Sequence, residues 1–456
     1  MDFPFISNES GPAGLFPVNL YLSRDSVTGE PCLKRAPGLV KRVEFGSGAP
    51  RGLVAWKNSW YAVVGTGLWK IDTEWNATQI GTLTTNSGLV SMAGGDTMLM
   101  VADSASPGLV YNVQTGTTTV PSGLDNLATL AYSDGYWVGA PDGSDFWYAS
   151  ANGDATSWSQ LDEGLAGVRP DQIKELATNE GLVMAIGEET IEWYYNAGSA
   201  TGLAFERLAG ATQEVGTLSR WSSARLDKSV FWLDNHGRVL RTSGTSYTVV
   251  STQYLEQRLT SLSWAGSIGS AFVWQGAPWY VLTLPAEGLT FVYDAAANYW
   301  WQWASGPVLP AAHKALAFAR IGATVAALSR DDGVLYELRS DAYDDDGTVC
   351  RLERTCPPVY SEGKRIRHNR LELRMRTGLG EQGERDPLCM LEYTDDYMTT
   401  WSDPIVASMG AIGERDRIVF WDGLGISKHR IYRFSCTEAV PIEIYGAFLH
   451  GQVGMT

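Results

Sequence analysis

The chain has 456 residues, 44% of them hydrophobic, with 18 Trp, 20 Tyr, 49 Gly and a formal charge of −16. That apolar content excludes intrinsic disorder, and the acidity excludes a nonspecific grip on nucleic acid, which needs clustered Lys and Arg. Residues 1–349 hold 21 basic and 36 acidic side chains against 14 and 15 in the rest, so the acidity belongs to the long first part. A surface past which DNA slides stays compatible with this balance.

The N-terminal MDFPFISNESG has neither a basic stretch nor an apolar core, so no signal peptide is expected. No apolar run is long enough to span a membrane. Residues 1–45 read as an extended N-terminal arm or added strand, with Pro-containing pieces at Phe16–Leu22 and Ala36-Pro37-Gly38. Sustained helical periodicity is nearly absent; only Arg220–Asp227 and Ser251–Ser261 have room for short helices.

From Gly52 onward, pairs of apolar runs flank short polar breaks, the pattern of a β-hairpin. The first are Trp60–Val64 with Leu68–Ile71, Met98–Ala102 with Leu109–Val113, and Tyr136–Val138 with Phe146–Ala149. Leu182–Ile186 and Ile191–Tyr195 follow across Gly187-Glu188-Glu189-Thr190, then Val230–Leu233 and Val239–Thr242 across Asp234-Asn235-His236-Gly237. Ala271–Trp274 with Trp279–Leu284, Thr290–Asp294 with Tyr299–Trp303, and Thr324–Leu328 with Val334–Leu338 complete the series. Units start roughly 37 to 50 residues apart, the spacing of four-stranded propeller blades. The expected fold is therefore all-β: a distorted β-propeller of about six or seven blades over 46–345. A stack of sandwiches is the alternative.

The pattern changes near Asp341–Gly347. In Arg370–Arg376, Leu371, Leu373 and Met375 fall on one face of a strand and Arg370, Glu372, Arg374 and Arg376 on the other. Further strands are expected at Leu388–Tyr393, Arg417–Trp421, Arg430–Cys436 and Ile442–Phe448. Residues 346–456 thus read as a C-terminal antiparallel β-sandwich.

Catalytic motifs are missing: no G-x-S-x-G, H-E-x-x-H or Walker A pattern occurs, so no catalytic, cofactor or metal residues are assigned. The five His are read as turn or surface residues. Cys32, Cys350, Cys356, Cys389 and Cys436 are odd in number and lack C-x-x-C spacing, which points to reduced, mostly buried thiols. Asp344, Asp346, Gly347 and Glu353 approach the spacing of a calcium loop, but Ala342 stands where the first ligand belongs. An acidic interdomain linker is the simpler reading.

Ser150–Trp158 and Thr394–Trp401 have the form of an Asp-box turn, with Asp396 accepting backbone bonds and Trp401 packed beneath; Met398 stands where that box has Gly. Tyr299-Trp300-Trp301-Gln302-Trp303 has two readings, a sugar-stacking platform or, more simply, a buried blade strand. Glu188, Glu189 and Glu192 read as turn and solvent-face residues rather than a convergent cluster. The basic run Lys364, Arg365, Arg367, Arg370, Arg374 and Arg376 is the one patch suited to touching phosphate. Because its charges alternate with apolar residues, a charged sheet face towards another subunit or an adaptor is preferred to a DNA contact.

Several pieces in fixed order resemble one family. They are Pro17-Val18-Asn19-Leu20-Tyr21, Pro37-Gly38-Leu39, Arg169-Pro170-Asp171-Gln172-Ile173 and Ile186-Gly187-Glu188-Glu189-Thr190-Ile191-Glu192-Trp193. Phe205-Glu206-Arg207, Ser229–Leu233, Val250-Ser251-Thr252, Trp279–Pro285, Thr290–Asp294 and the turn region Leu391–Trp401 continue the series. Together they resemble the packaged-DNA stabilisation proteins of short-tailed bacteriophages, also called tail hub or nozzle proteins. The resemblance implies a structural virion protein of the tail, made in the host cytoplasm and assembled as a homohexamer. Implied partners are a portal adaptor ring, tail fibres or spikes, a needle or plug, and genomic DNA passing through a lumen without sequence-specific binding. No cofactor is implied. The competing class is a propeller glycosidase, depolymerase or carbohydrate-binding protein.

Overall fold

The computed structural model describes residues 2–3, 16–124, 126–166, 171–199, 202–379 and 386–454. Arg169 and Pro170 of the family signature, and most of the N-terminal stretch read for a signal peptide, lie outside them. By contacts the chain forms two compact units, one of residues 41–287 and 314–338, the other of 1–40, 288–313 and 339–456.

The first unit is a propeller. Seven inner strands neighbour one another in a closed cycle: Pro50–Trp56, Ser91–Gly94, Thr129–Ser133, Ile173–Asn179, Ala224–Leu226, Ile268–Trp274 and Ala315–Ile321, with the last beside the first. The first five each begin a four-stranded antiparallel meander, as in Pro50–Trp56, Ser59–Val64, Gly67–Ile71 and Ala77–Thr82. Among the described residues the blades number seven. The hairpins expected at Trp60, Met98, Tyr136, Leu182 and Val230 are the middle two strands of their blades. Their runs are continuously apolar because both faces of a middle strand are covered, and Ser59–Val64 and Ser229–Leu233 are buried throughout.

Buried tryptophans tie adjacent blades. Trp60 donates its indole N–H to Ala319 O at 2.9 Å, and Trp137, at the same place in the third blade, donates to Ala93 O at 3.0 Å. The chain closes its own ring: Phe45 N bonds to Gly333 O at 2.7 Å and Arg42 pairs with Glu337.

One expected helix forms. Gln253–Thr260 is α-helical, capped by Thr252, whose side chain accepts from Leu255 N. Arg220–Asp227 instead carries the strand Ala224–Leu226, because pairing with Ser229–Leu233 outweighs a weak local preference.

The second unit is a sandwich of two sheets. One runs Leu20–Arg24, Pro31–Arg35, Glu443–Val453, Ile366–Met375, Val419–Asp422; the other runs Leu352–Thr355, His429–Cys436, Leu388–Thr394, Ile405–Ser408. Leu20, Leu33, Leu371, Leu373, Leu391, Tyr432, Phe434 and Ile444 fill the space between them. The N-terminal pieces thus enter a sheet as added strands. Asn19, at φ 56°, secures them: Nδ2 donates to Ala304 O and Arg351 O at 2.9 and 2.7 Å, and Oδ1 accepts from Ala304 N at 2.9 Å. All five cysteines are free and buried.

Candidate interface on the C-terminal sheet

Of the basic run, Arg367, Arg370 and Arg374 lie on Ile366–Met375, an inner strand of the larger sandwich sheet, with Lys364 and Arg365 just before it and Arg376 just after. Ile366 and His368 are buried, and so are Leu371 and Leu373; the parity changes because the register with Glu443–Val453 shifts between His368 and Arg370. Asn369 is the extra residue of that bulge. It turns Arg367 and Arg370 out on the same side of the sheet, which simple alternation does not predict.

The six cations divide into two sets. Arg370 faces Asp422 across the ladder, with bonds of 2.6 and 2.8 Å, and its guanidinium stacks 3.9 Å over Phe420. That bond and charge hold Asp422 below the usual carboxylate range. Arg374 makes a two-pronged pair with Glu30, at 2.7 and 3.0 Å, and Arg376 bonds Glu443 at 3.2 Å. Lys364, Arg365 and Arg367 have no carboxylate partner among the described residues, and the two arginines are exposed.

Exposed apolar residues border them. Ile426 stands opposite Arg367, and Phe420 and Phe448 flank Glu372. Arginine interleaved with exposed aromatic and aliphatic side chains is the composition of a protein interface. A phosphate track would present unpaired cations throughout.

The other sequence candidates resolve individually. In the Thr394–Trp401 turn, Asp396 accepts from Thr399 N and Thr400 N at 3.1 and 2.9 Å and from the Thr400 hydroxyl. These bonds, led by the Thr394 and Thr400 hydroxyls, lower its pKa to about 2. Met398 takes φ 71° in place of the box glycine, and Trp401 is half-buried with Arg433 stacked 3.9 Å over it. Tyr299–Trp303 is buried throughout, so it offers no sugar a platform.

At the near-calcium loop, Asp344 accepts Gly347 N, Glu353 pairs with Arg351, and Asp345 takes the Cys350 thiol. Among the described residues no group of three or more His, Cys, Asp or Glu is placed to hold a metal ion.

Three readings are corrected. Glu192 is not on a solvent face: it is 2% exposed and accepts the Tyr194 hydroxyl at 2.7 Å. His313 and His368 are core residues. Apolar strand periodicity hides such polar positions: Glu192 accepts from Tyr194 two residues along its own strand, and His368 meets Ser427 and Tyr432, far away in sequence.

The Leu182–Asn196 hairpin owes its turn to a residue outside it. Asp171 accepts from Glu188 N, Glu189 N and Thr190 N at 2.8, 3.1 and 2.7 Å and from the Thr190 hydroxyl at 2.7 Å. A Cβ on Gly187 would run into that carboxylate, which is why glycine stands there. Glu188 pairs with Lys174 at 2.6 Å and Glu189 is exposed, so the three glutamates do not converge.

Two family models match in sequence order: the β-propeller of bacteriophage P22 Gp10 over residues 12–343 and its β-sandwich over 351–452. The chain belongs to the bacteriophage P22 Gp10 family. It is therefore a structural phage protein of the virion tail, in the packaged-DNA stabilisation or tail-hub class. The family's propeller and sandwich blocks account for the meanders and the two-sheet sandwich described above.

A search of curated proteins found no match. Among solved structures, a chain of the mitotic checkpoint complex is 10% identical over 67% of this chain and 94% of that one, with a TM-score of 0.43. The WD40 β-propeller domain of Doa1 is 12% identical over 67% and 97%, at 0.44. The Pan2 WD40 domain of Neurospora crassa is 10% identical over 67% and 94%, at 0.42. These likenesses are weak, and nothing below rests on them.

Proposed function

We propose that this protein is a ring-forming tail hub, a non-enzymatic channel subunit below the portal and its adaptor that retains packaged DNA. Copies assemble as a homohexamer, extend the DNA conduit, and dock tail fibres or spikes and a needle or plug. The observation that carries this reading is the match of both Gp10 blocks, in order, over nearly the whole chain.

Electrostatics support it. A subunit with an excess of acidic residues over residues 1–349 gives the conduit a negative lining, which repels the DNA backbone and lets the genome pass without sticking. The half-neutralised basic face of Ile366–Met375 serves a protein neighbour, another copy or the adaptor, rather than DNA. Glu188, Glu189 and Glu192 do not converge as a glycosidase pair would: Glu188 pairs with Lys174, Glu192 accepts the Tyr194 hydroxyl and Glu189 is exposed.

The deciding experiment is genetic. Virions lacking this protein should package DNA and then lose it, and the purified chain should run as a closed ring by native mass measurement. Heads that keep their DNA without it, or a chain that stays monomeric at high concentration, would overturn the proposal.

A further inference from the structure

One corner of the sandwich gathers exposed rings and unpaired cations. Two crossings between its sheets meet there: Tyr360 pairs with His429 in one sheet, and Ile366 with Ser427 in the other. A turn in which Lys364 N bonds to Ser361 O at 2.7 Å makes the first crossing, and Lys428 makes the second. The His429 ring lies 4.3 Å from Tyr397 and 6.5 Å from Tyr360, which are 73% and 67% exposed. Arg365, Arg367 and Lys428 are exposed beside them and Lys364 is half-buried; none of the four has a carboxylate partner among the described residues. Glu362 is the acid of that turn, while Asp395 is taken by Arg430 and Asp396 by its own turn. Exposed tyrosine beside unpaired arginine, with few carboxylates, is the composition of a protein contact.

The chain itself carries a surface of opposite charge. The propeller unit, 41–287 with 314–338, has 27 acidic and 17 basic side chains. In its second to fifth blades the turn from the inner strand to the next strand holds an exposed carboxylate: Asp96, Asp134, Glu180 and Asp227. These turns lie at one end of the propeller and adjoin, as where the Ser133 hydroxyl donates to Gly181 O at 2.9 Å. None of the four carboxylates has an ion pair among the described residues, and Lys57 and Lys228 are the cations of the same set of turns. At the opposite end, Asp142, Glu188 and Asp234 are held by Arg220, Lys174 and Arg238. The uncompensated negative charge is therefore at the first end.

We infer that the sandwich corner of one copy docks on this acidic propeller end of the next copy. The inference rests on the ring reading above and supplies its joint. Because two different surfaces meet, the contact is head-to-tail, the kind that closes a ring instead of stopping at a pair. Lys364, Arg365, Arg367 and Lys428 set against the four carboxylates orient the copies, while Tyr360 and Tyr397 supply the area that holds them together.

Charge exchange in the full chain, read by native mass measurement and sedimentation, tests this. Arg365→Glu with Lys428→Glu should weaken ring formation about tenfold or more, and so should Asp134→Lys with Glu180→Lys. The chain carrying all four substitutions should regain most of the loss, and Tyr397→Asn alone should cost several-fold. A natural chain that stays monomeric sinks the ring reading and this joint with it. A ring that ignores either exchange, or that the combined variant does not restore, overturns the joint and leaves the ring reading standing. Should a variant fail to fold, the natural ring decides: it should loosen as salt rises from about 0.05 to about 0.5 M, and indifference to salt would overturn the joint.

Discussion

Trp60 and Ala319 are 259 residues apart, yet the indole N–H of one meets the carbonyl of the other at 2.9 Å. Trp60 belongs to the first blade and Ala319 to the last, so this bond lies across the seam where the ring closes. The ring of Trp75 stacks on Trp60 at 4.7 Å and completes its burial.

Truncation at that seam should be costly. Trp60→Ala is expected to lose about 3–5 kcal/mol and Trp60→Phe about 1–2 kcal/mol, the second chiefly the hydrogen bond and a small void. Chemical denaturation followed by tryptophan fluorescence would check it. A loss under about 1 kcal/mol for Trp60→Ala would mean that the seam is not closed by this contact.

Asp171 should matter to folding and not to chemistry. Asp171→Ala strands three backbone N–H groups and a hydroxyl near Gly187–Thr190, at an expected cost of about 2–3 kcal/mol. Asp171→Asn should retain about half of that, because the amide oxygen still accepts. Thermal unfolding of the three proteins gives the order, and Asn falling below Ala would contradict the capping role.

Acid should weaken the sandwich through His368. Its Nε2 lies 2.8 Å from Ser427 Oγ and its Nδ1 2.9 Å from Tyr432 O–H. Burial first, and Arg430 nearby second, lower its pKa to about 4. The folded state thus prefers the neutral ring, whereas the unfolded chain takes up a proton near 6.5. Stability from this group is intact above about pH 6.5 and is lost as pH falls towards 4, up to about 3 kcal/mol in all. The stability difference between the natural protein and His368→Gln should shrink over that window; a constant difference would exclude the linkage.

The unpaired arginines should act on assembly alone. Replacing Arg365 and Arg367 by Glu is expected to change the melting temperature little, since both are exposed and have no carboxylate partner among the described residues. Ring formation, or retention of DNA by heads supplied with the variant, should fall at least tenfold. Normal assembly would remove this face from the candidate interfaces.

What the sequence determined by itself is whatever local chemistry specifies. Strand pairs separated by short turns were legible because their hydrogen bonds join near neighbours, as at Leu182–Asn196 and Val230–Thr242. The outward charges of Arg370–Arg376 followed from period-two alternation, and the Asp396 turn from a carboxylate four residues before its last donor.

The tertiary structure decided what depends on distant partners. Seven blades, rather than six or seven, follows from which inner strand stands beside Pro50–Trp56. The turn at Gly187–Thr190 is capped from Asp171, and Arg374 finds Glu30 344 residues away, so half of an apparently uniform basic run is neutralised. A single extra residue, Asn369, sets which arginines share a face, and buried His368 finds its hydroxyl partners, Ser427 and Tyr432, only once the strands are paired. Sequence carries the local preference of each segment. Only the folded chain supplies the long-range partners that give a charged or polar side chain its environment.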